Sequence, residues 1–190
     1  MNSLRPFPTH QPSEPRFKLN FNVSRSPSGL DFSFGLVAQT PADLDAIVIP
    51  ERASSPDRKD ELWKSTCLEI FFGPEGGREY LEMNLCPSGN WNLYSFRSYR
   101  EGMKLAEDGH APLVTIEKSP RGDEKTWVGR LRLHPDLAPA ELAATLASRS
   151  LVMGATAVIE YKNGHREYWA IAHAGEKPDF HLRESFRLIL

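Results

Sequence analysis

The feature that most constrains the fold is a series of short runs in which apolar and polar residues alternate. Such runs recur at intervals of about ten residues and are separated by Gly, Pro, Asn and Asp. They cover residues 17–23, 30–37, 67–72, 80–86, 91–97, 113–118, 127–133, 151–161, 167–172 and 185–190. Alternation with a period of two is typical of half-buried strands. We therefore predict an all-β fold, an antiparallel β-sandwich of jelly-roll-like form.

The turns and the few helical segments fit that prediction. Asn163-Gly164 is typical of a two-residue hairpin, and the Pro-Ser-Gly-Asn turn at 87–90 supplies the backbone angles that a reversal needs. One short helix is predicted at 139–148, which is rich in Ala and Leu, and a further helical turn at 41–46.

Composition bounds the size and class of the protein. The chain has 190 residues, of which 40% are hydrophobic and 25% charged, which suits one globular domain. We expect that domain to be a single ligand-binding β-sandwich over residues 16–190. Residues 1–15 contain four prolines and little periodicity, so we expect a flexible N-terminal arm.

Several classes of function are disfavoured. The net charge of -2 argues against nucleic acid as a partner, and no apolar run is long enough to span a membrane. The N-terminus lacks an apolar stretch typical of a secretory signal, which predicts a cytoplasmic protein. Two cysteines and six histidines without zinc-like spacing predict no metal site. The sequence identifies neither a cofactor nor an oligomeric state.

Strands 67–72, 80–86 and 91–97 predict one apolar and one polar sheet face. We expect Ile70 opposite Leu81 and Glu69 opposite Glu82, with the turn pairing Cys86 with Trp91. The predicted core face carries Leu68, Ile70, Phe72, Leu81, Met83, Leu85, Tyr94 and Phe96. The predicted polar face carries Glu69, Glu82, Asn84, Ser95 and Arg97, with Phe71, Tyr80 and Trp91 among them.

Two interpretations of the polar face follow. Opposed glutamates destabilise a sheet, so Arg97 or Arg166, a metal or a hydroxyl-rich ligand must offset them. Bridging arginines, or simple exposure to water, would make the face structural. Aromatic rings among acids and amides favour a saccharide site, because sugars combine apolar ring faces with hydroxyl groups.

The sequence also resembles a known family. Residues 62–72, with Trp63 six positions before Glu69, and residues 80–91, with a strand that ends in a polar-Pro-x-Gly turn, are similar to DOMON-like domains related to family 9 carbohydrate-binding modules. Residues 168–173, with Trp169 and His173, and the segment from 177 to 190 resemble the closing part of that family. The stand-alone bacterial DOMON-like proteins are the most similar branch.

The resemblance implies a β-sandwich that binds a saccharide or, in other branches, haem. Together with the face assignment, it gives the candidate ligand-binding residues Trp63, Glu69, Glu82, Asn84, Arg97, Trp169 and His173. A haem site needs an axial pair such as a His with a Met, for which Met103 is the freer methionine. A glycoside-active enzyme could use Glu69 and Glu82 as acid and base. Since no nucleophile elbow, phosphate loop or metal motif is present, we favour binding over catalysis and assign no catalytic residue.

Overall fold

A computed structural model describes residues 2–8, 16–26, 29–106, 113–118, 124–132 and 150–190, the strands at 113–118 and 124–132 by their backbone. The described part is almost entirely antiparallel β-sheet, which confirms the predicted sandwich-like all-β class. The strands are β1 (Asn2–Pro6), β2 (Phe17–Ser26), β3 (Gly29–Ala38), β4 (Cys67–Pro74), β5 (Tyr80–Leu85), β6 (Trp91–Phe96), β7 (Lys104–Leu105), β8 (Leu113–Lys118), β9 (Glu124–Arg132), β10 (Leu151–Glu160), β11 (Arg166–Ala170) and β12 (Leu188–Ile189).

Helical structure is limited to short pieces in the described residues. Helix α1 (Pro41–Asp45) confirms the helical turn expected at 41–46, and a Thr40–Asp43 capping box closes its N-terminus. Turns of 3-10 helix lie at Leu62–Lys64 and Arg183–Ser185. The helix predicted at 139–148 falls outside the described residues.

The strands form two layers joined by β1. The first sheet has the order β8-β9-β3-β2-β1, and the second has the order β7-β6-β5-β4-β10-β11-β1 with β12 beside β10. Asn2, Ser3 and Leu4 pair with β2, whereas Arg5 and Pro6 pair with β11. A strand that changes sheets in this way forms a corner of a sandwich.

The beginning of the predicted N-terminal arm is therefore a strand, which corrects our expectation for residues 2–6. The Leu4 side chain is buried in the core. A five-residue strand is too short to show periodicity, and both of its partners are distant in sequence. Residues 9–15 of the predicted arm lie outside the described part.

The main core lies between the two sheets. The first sheet contributes Leu19, Phe21, Phe34 and Leu36, and the second contributes Leu68, Ile70, Phe72, Leu81, Met83, Met153, Ala155 and Ile159. The predicted core positions on β4 and β5 are thus confirmed. The opposite side of the second sheet, hereafter the outer face, carries a separate cluster that includes Phe71, Tyr80, Tyr94, Phe96, Phe180 and Phe186.

The first hairpin differs from the predicted register by two residues. Ile70 pairs with Met83 and Glu69 with Asn84, so Glu69 and Glu82 are diagonal neighbours rather than an opposed pair. A shift of two residues keeps every side chain on its face, and the apolar pattern cannot distinguish the two registers. The expectation that both glutamates share one face of adjacent strands is confirmed.

The second hairpin differs by one residue, which reverses the faces of β6. Leu85, not Cys86, pairs with Trp91, and residues 86–90 form a five-residue turn with Gly89 at a φ of 94°. Trp91 and Leu93 therefore enter the core, while Tyr94 and Phe96 join the outer-face cluster. The predicted placements of Tyr94 and Phe96 in the core, and of Trp91, Ser95 and Arg97 on the polar face, were wrong.

This register predicts unequal effects of two substitutions on β6. Leu93→Ala should lower the free energy of unfolding by about 2–5 kcal/mol, because it removes a fully buried side chain from the core. Ser95→Ala, on the same strand at a half-buried position, should change it by less than about 0.5 kcal/mol. Urea unfolding of both variants measures the difference, and an effect of Leu93→Ala as small as that of Ser95→Ala would contradict the placement of Leu93 in the core.

Candidate functional site

A cavity of about 380 Å³ opens on the outer face of the second sheet. Strands β4, β5, β6, β10 and β11 contribute its floor, and the 3-10 turn Leu62–Lys64 with the segments 100–103 and 178–181 completes its walls. The lining includes the aromatic side chains Trp63, Phe71, Phe96, Tyr168 and Phe180. Acidic and basic side chains lie among these rings and provide the hydrogen-bonding groups of the cavity.

Two buried carboxyl groups lie in the cavity floor. Glu69 on β4 is 2% exposed and Glu82 on β5 is 5% exposed. The Thr156 hydroxyl donates to Glu69 Oε2 at 3.0 Å, and the Asn84 amide donates to Glu82 Oε1 at 2.8 Å. Asn84 itself is fully buried behind Glu82, so it holds that carboxyl in place rather than lining the cavity.

Burial changes the ionisation of both acids. Loss of solvation, with the nearby charge of Glu82, raises the pKa of Glu69 to about 8. Loss of solvation also raises the pKa of Glu82 to about 7, against the opposing effects of the Asn84 amide and the Arg100 charge. The two glutamates therefore retain protons at pH values where an exposed glutamate is ionised.

His181 faces the same pair of acids. The Arg100 backbone N–H donates to the Tyr80 phenol oxygen at 3.2 Å, so we assign the Tyr80 hydroxyl as donor to His181 Nδ1, 2.8 Å away. The other ring nitrogen then carries the proton and lies 3.8 Å from Glu82 Oε2. Burial, together with the Arg100 charge, lowers the pKa of His181 to about 4, and the ring is neutral near pH 7.

Each cation that lines the cavity has its own acidic partner. Lys64 pairs with Glu61 at 2.7 Å, Arg100 with Asp179 at 3.1 Å, and Arg166 with Glu160 at 3.2 Å. These contacts argue against one of the alternatives given for the polar face, in which Arg97 or Arg166 bridges the two glutamates. Arg166 is engaged elsewhere, and the exposed Arg97 side chain does not reach the cavity.

The aromatic wall at Trp63 is supported from behind. Trp63 is half-buried in the middle of the 3-10 turn and meets Tyr94 edge-to-face at 5.9 Å. The Tyr94 hydroxyl donates to Asp60 at 2.9 Å and accepts the Asn92 amide at 2.8 Å. A buried hydrogen-bonded support of this kind fixes the orientation of Trp63, which lines the cavity.

Two other predicted site residues lie away from the cavity. Trp169 is in the main core, stacked on Phe17 at 4.6 Å, and its indole N–H donates to Glu167 at 2.9 Å. His173 contacts the Arg5 carbonyl at 2.9 Å and does not line the cavity. Of the candidate ligand-binding residues, only Trp63, Glu69 and Glu82 meet in it.

Sequence reasoning missed several lining residues for different reasons. Tyr168 could have been found, because it alternates with Trp169 on a strand and must face the other way. Phe96 was missed because the predicted register of β6 was wrong by one residue, which placed its side chain on the core face. Phe180 and His181 belong to a segment without periodicity, and only a resemblance to the closing segment of a family singled them out.

Two negative findings hold for the described residues. They contain no group of His, Cys, Asp and Glu side chains arranged to hold a metal ion. Within the same ranges no helix has the length and apolar character needed to cross a membrane.

Comparison with known proteins supports the architecture. No protein-family model matches the chain, and no curated protein matches its sequence. Its structure is similar to the crystal structure of a putative carbohydrate-binding protein from Bacteroides uniformis ATCC 8492. The TM-score is 0.52 at 16% sequence identity, over 90% of this chain and 76% of that one. At this identity the likeness concerns the fold, and the resemblance to DOMON-like domains stays a prediction.

Proposed function

We propose that this protein binds a saccharide, or a similarly hydroxylated small molecule, in the outer-face cavity and does not transform it. The observation that carries the proposal is that Trp63 borders the same cavity as the buried pair Glu69 and Glu82. A volume of 380 Å³ lies within the range of about 300–1,000 Å³ that is usual for small-molecule sites. The description of the Bacteroides uniformis protein as carbohydrate-binding adds weak support.

Different groups of the cavity suit different parts of a saccharide. Trp63 offers a flat apolar face for a sugar ring, and Tyr168 and Phe180, whose rings lie 6.2 Å apart, offer further apolar walls. Glu69 and Glu82 offer carboxyl oxygens to hydroxyl groups. Asn84 and Thr156 hold those carboxyls in fixed orientations, which lowers the entropy lost on binding.

Substitutions at the wall and at the floor should each weaken binding. We expect Trp63→Ala to remove contact area and Glu69→Gln to remove an acceptor from a partly dry site. Each change should reduce affinity roughly tenfold to a hundredfold, or by about 1–3 kcal/mol. A glycan array identifies a ligand, and calorimetric titration of the wild type and both variants measures the loss. Glu51→Gln, at an exposed position outside the cavity, is the charge-matched control.

Four outcomes would contradict the proposal. Only the fold would stand if the array gave no saccharide hit. The same holds if a hit bound to both variants as tightly as to the wild type. A Soret band in the spectrum of the purified protein would favour haem instead. Cleavage of a bound saccharide, lost in Glu69→Gln, would mark the protein as a glycoside-active enzyme, because a pair of acids is also what that chemistry needs.

A further inference from the structure

We infer that the ligand of this cavity carries a protonated amine, as an amino sugar does, and that Glu69 and Glu82 together bind the ammonium group. This inference rests on the proposed function and adds the charge of the ligand to it. Three features of the cavity support it: two acids that pair with no lysine or arginine of the described residues, their free carboxyl oxygens, and the aromatic walls.

The first feature is the pairing of charges. Every lining cation has a carboxylate partner within 3.2 Å, and these partners are Glu61, Asp179 and Glu160. In the described residues, no lysine or arginine forms an ion pair with Glu69 or Glu82. Their only ion-pair neighbour there is His181, which is neutral near pH 7. A ligand cation is therefore the group that would pair with these two acids as they lose their protons.

The second feature is the pattern of hydrogen bonds. Glu69 uses Oε2 with Thr156, and Glu82 uses Oε1 with Asn84. Among the described residues no hydrogen-bond donor reaches Glu69 Oε1, and the nearest to Glu82 Oε2 is His181 Nε2, at 3.8 Å. Each carboxyl thus keeps one oxygen for a ligand. An ammonium group has three donors and can serve two such oxygens at once.

The third feature is the aromatic lining. Trp63, Phe71, Phe96, Tyr168 and Phe180 surround the space above the two acids. The faces of aromatic rings attract cations, most strongly where water is excluded. The same rings also suit the apolar face of a sugar, so an amino sugar uses both properties of the wall.

Binding of an ammonium group should displace protons from the two acids. The titratable or charged groups of the described residues that face the pair or line the same cavity are Lys64, Cys67, Tyr80, Tyr94, Arg100, Arg166 and His181. Raised pKa values leave protons on the pair in the free protein at pH 6.5. A bound cation favours the carboxylate forms, so protons are released. A neutral sugar has no such effect.

The test compares matched sugars on the wild-type protein. Glucosamine with glucose, galactosamine with galactose, and mannosamine with mannose are titrated by calorimetry at pH 6.5 in two buffers of different ionisation enthalpy. We expect at least one amino sugar to bind ten times or more tighter than its neutral parent and to release protons. In Glu69→Gln and Glu82→Gln this preference should fall at least tenfold, whereas Glu51→Gln should retain it.

The outcomes separate this inference from the proposed function. Neutral sugars that bind as tightly as their amino counterparts would overturn the inference and leave saccharide binding intact. A neutral glycan as the only array hit would do the same. Ethanolamine that binds with proton release in the absence of any saccharide hit would instead overturn the proposed function and leave the ammonium site standing. If neither sugars nor ethanolamine bind, both proposals fail.

Discussion

Replacing Trp169 with alanine should lower the free energy of unfolding by about 3–5 kcal/mol. Trp169 is 3% exposed between the sheets and stacks on Phe17 at 4.6 Å. Its loss leaves a large cavity, and it also leaves Glu167 without the indole N–H that lies 2.9 Å from its carboxylate. Urea unfolding at pH 7 measures the change.

Trp63→Ala is the matched comparison for that variant. Trp63 is half-buried at the cavity wall, so its removal should cost less than half as much stability. The effects on ligand affinity should be reversed, with Trp63→Ala weakening a saccharide hit and folded Trp169→Ala retaining it. A larger stability loss in Trp63→Ala, or loss of binding in Trp169→Ala alone, would contradict the placement of the two tryptophans.

The buried acids should make the protein less stable as the pH rises. Each glutamate has an ordinary pKa of 4.5 when unfolded, against about 8 for Glu69 and about 7 for Glu82 in the fold. Below pH 4.5 both states hold the protons, and the stabilising contribution is complete. Above it the unfolded state releases protons that the fold retains, so this contribution is lost as the pH rises through 8.

A double variant isolates that effect. Relative to Glu69→Gln/Glu82→Gln, the wild type should lose on the order of 5 kcal/mol of stability between pH 4.5 and pH 9. His181, with its lowered pKa, acts in the opposite direction below pH 6.5, but it is present in both proteins. Urea unfolding at several pH values gives the difference. A constant difference across this range would show that the acids are solvated.

The fold was predictable because the sequence alternates so regularly. All ten predicted runs coincide with strands, although the last shortens to Leu188–Ile189. The strands that were missed, β1 and β7, have five and two residues and carry no periodic signal. Short strands form because a neighbouring strand is available to pair with them, and a local pattern does not contain that information.

The site was only partly predictable, and the hairpin registers explain why. The pattern on β4 and β5 was enough to predict that Glu69 and Glu82 share a face, because successive side chains of a strand alternate between the two faces and a shift of two residues changes neither. It did not fix the diagonal offset between them. At the next turn the register differs by one residue, which exchanges the two faces of β6. Phe96 therefore lies in the outer-face cluster, and Arg97 does not lie on the predicted face.

Three-dimensional packing accounts for the remaining differences. Arg166 was one candidate partner for the glutamates; it lines the same cavity, but it pairs with Glu160, its neighbour across the β10–β11 hairpin. Phe180 and His181 reach the cavity through a segment without regular structure, which lies over the outer face. Such a segment is positioned by its contacts with Phe71 and Tyr80 rather than by its own sequence pattern.

The location of a bound ligand tests the central claim most directly. A crystal structure of the protein with the tightest saccharide from the array would show where that ligand lies. We predict density in the outer-face cavity, with a sugar ring against Trp63 and a polar group of the ligand within about 3 Å of Glu69 or Glu82. A well-ordered saccharide elsewhere on the protein, with this cavity filled only by water, would contradict the account.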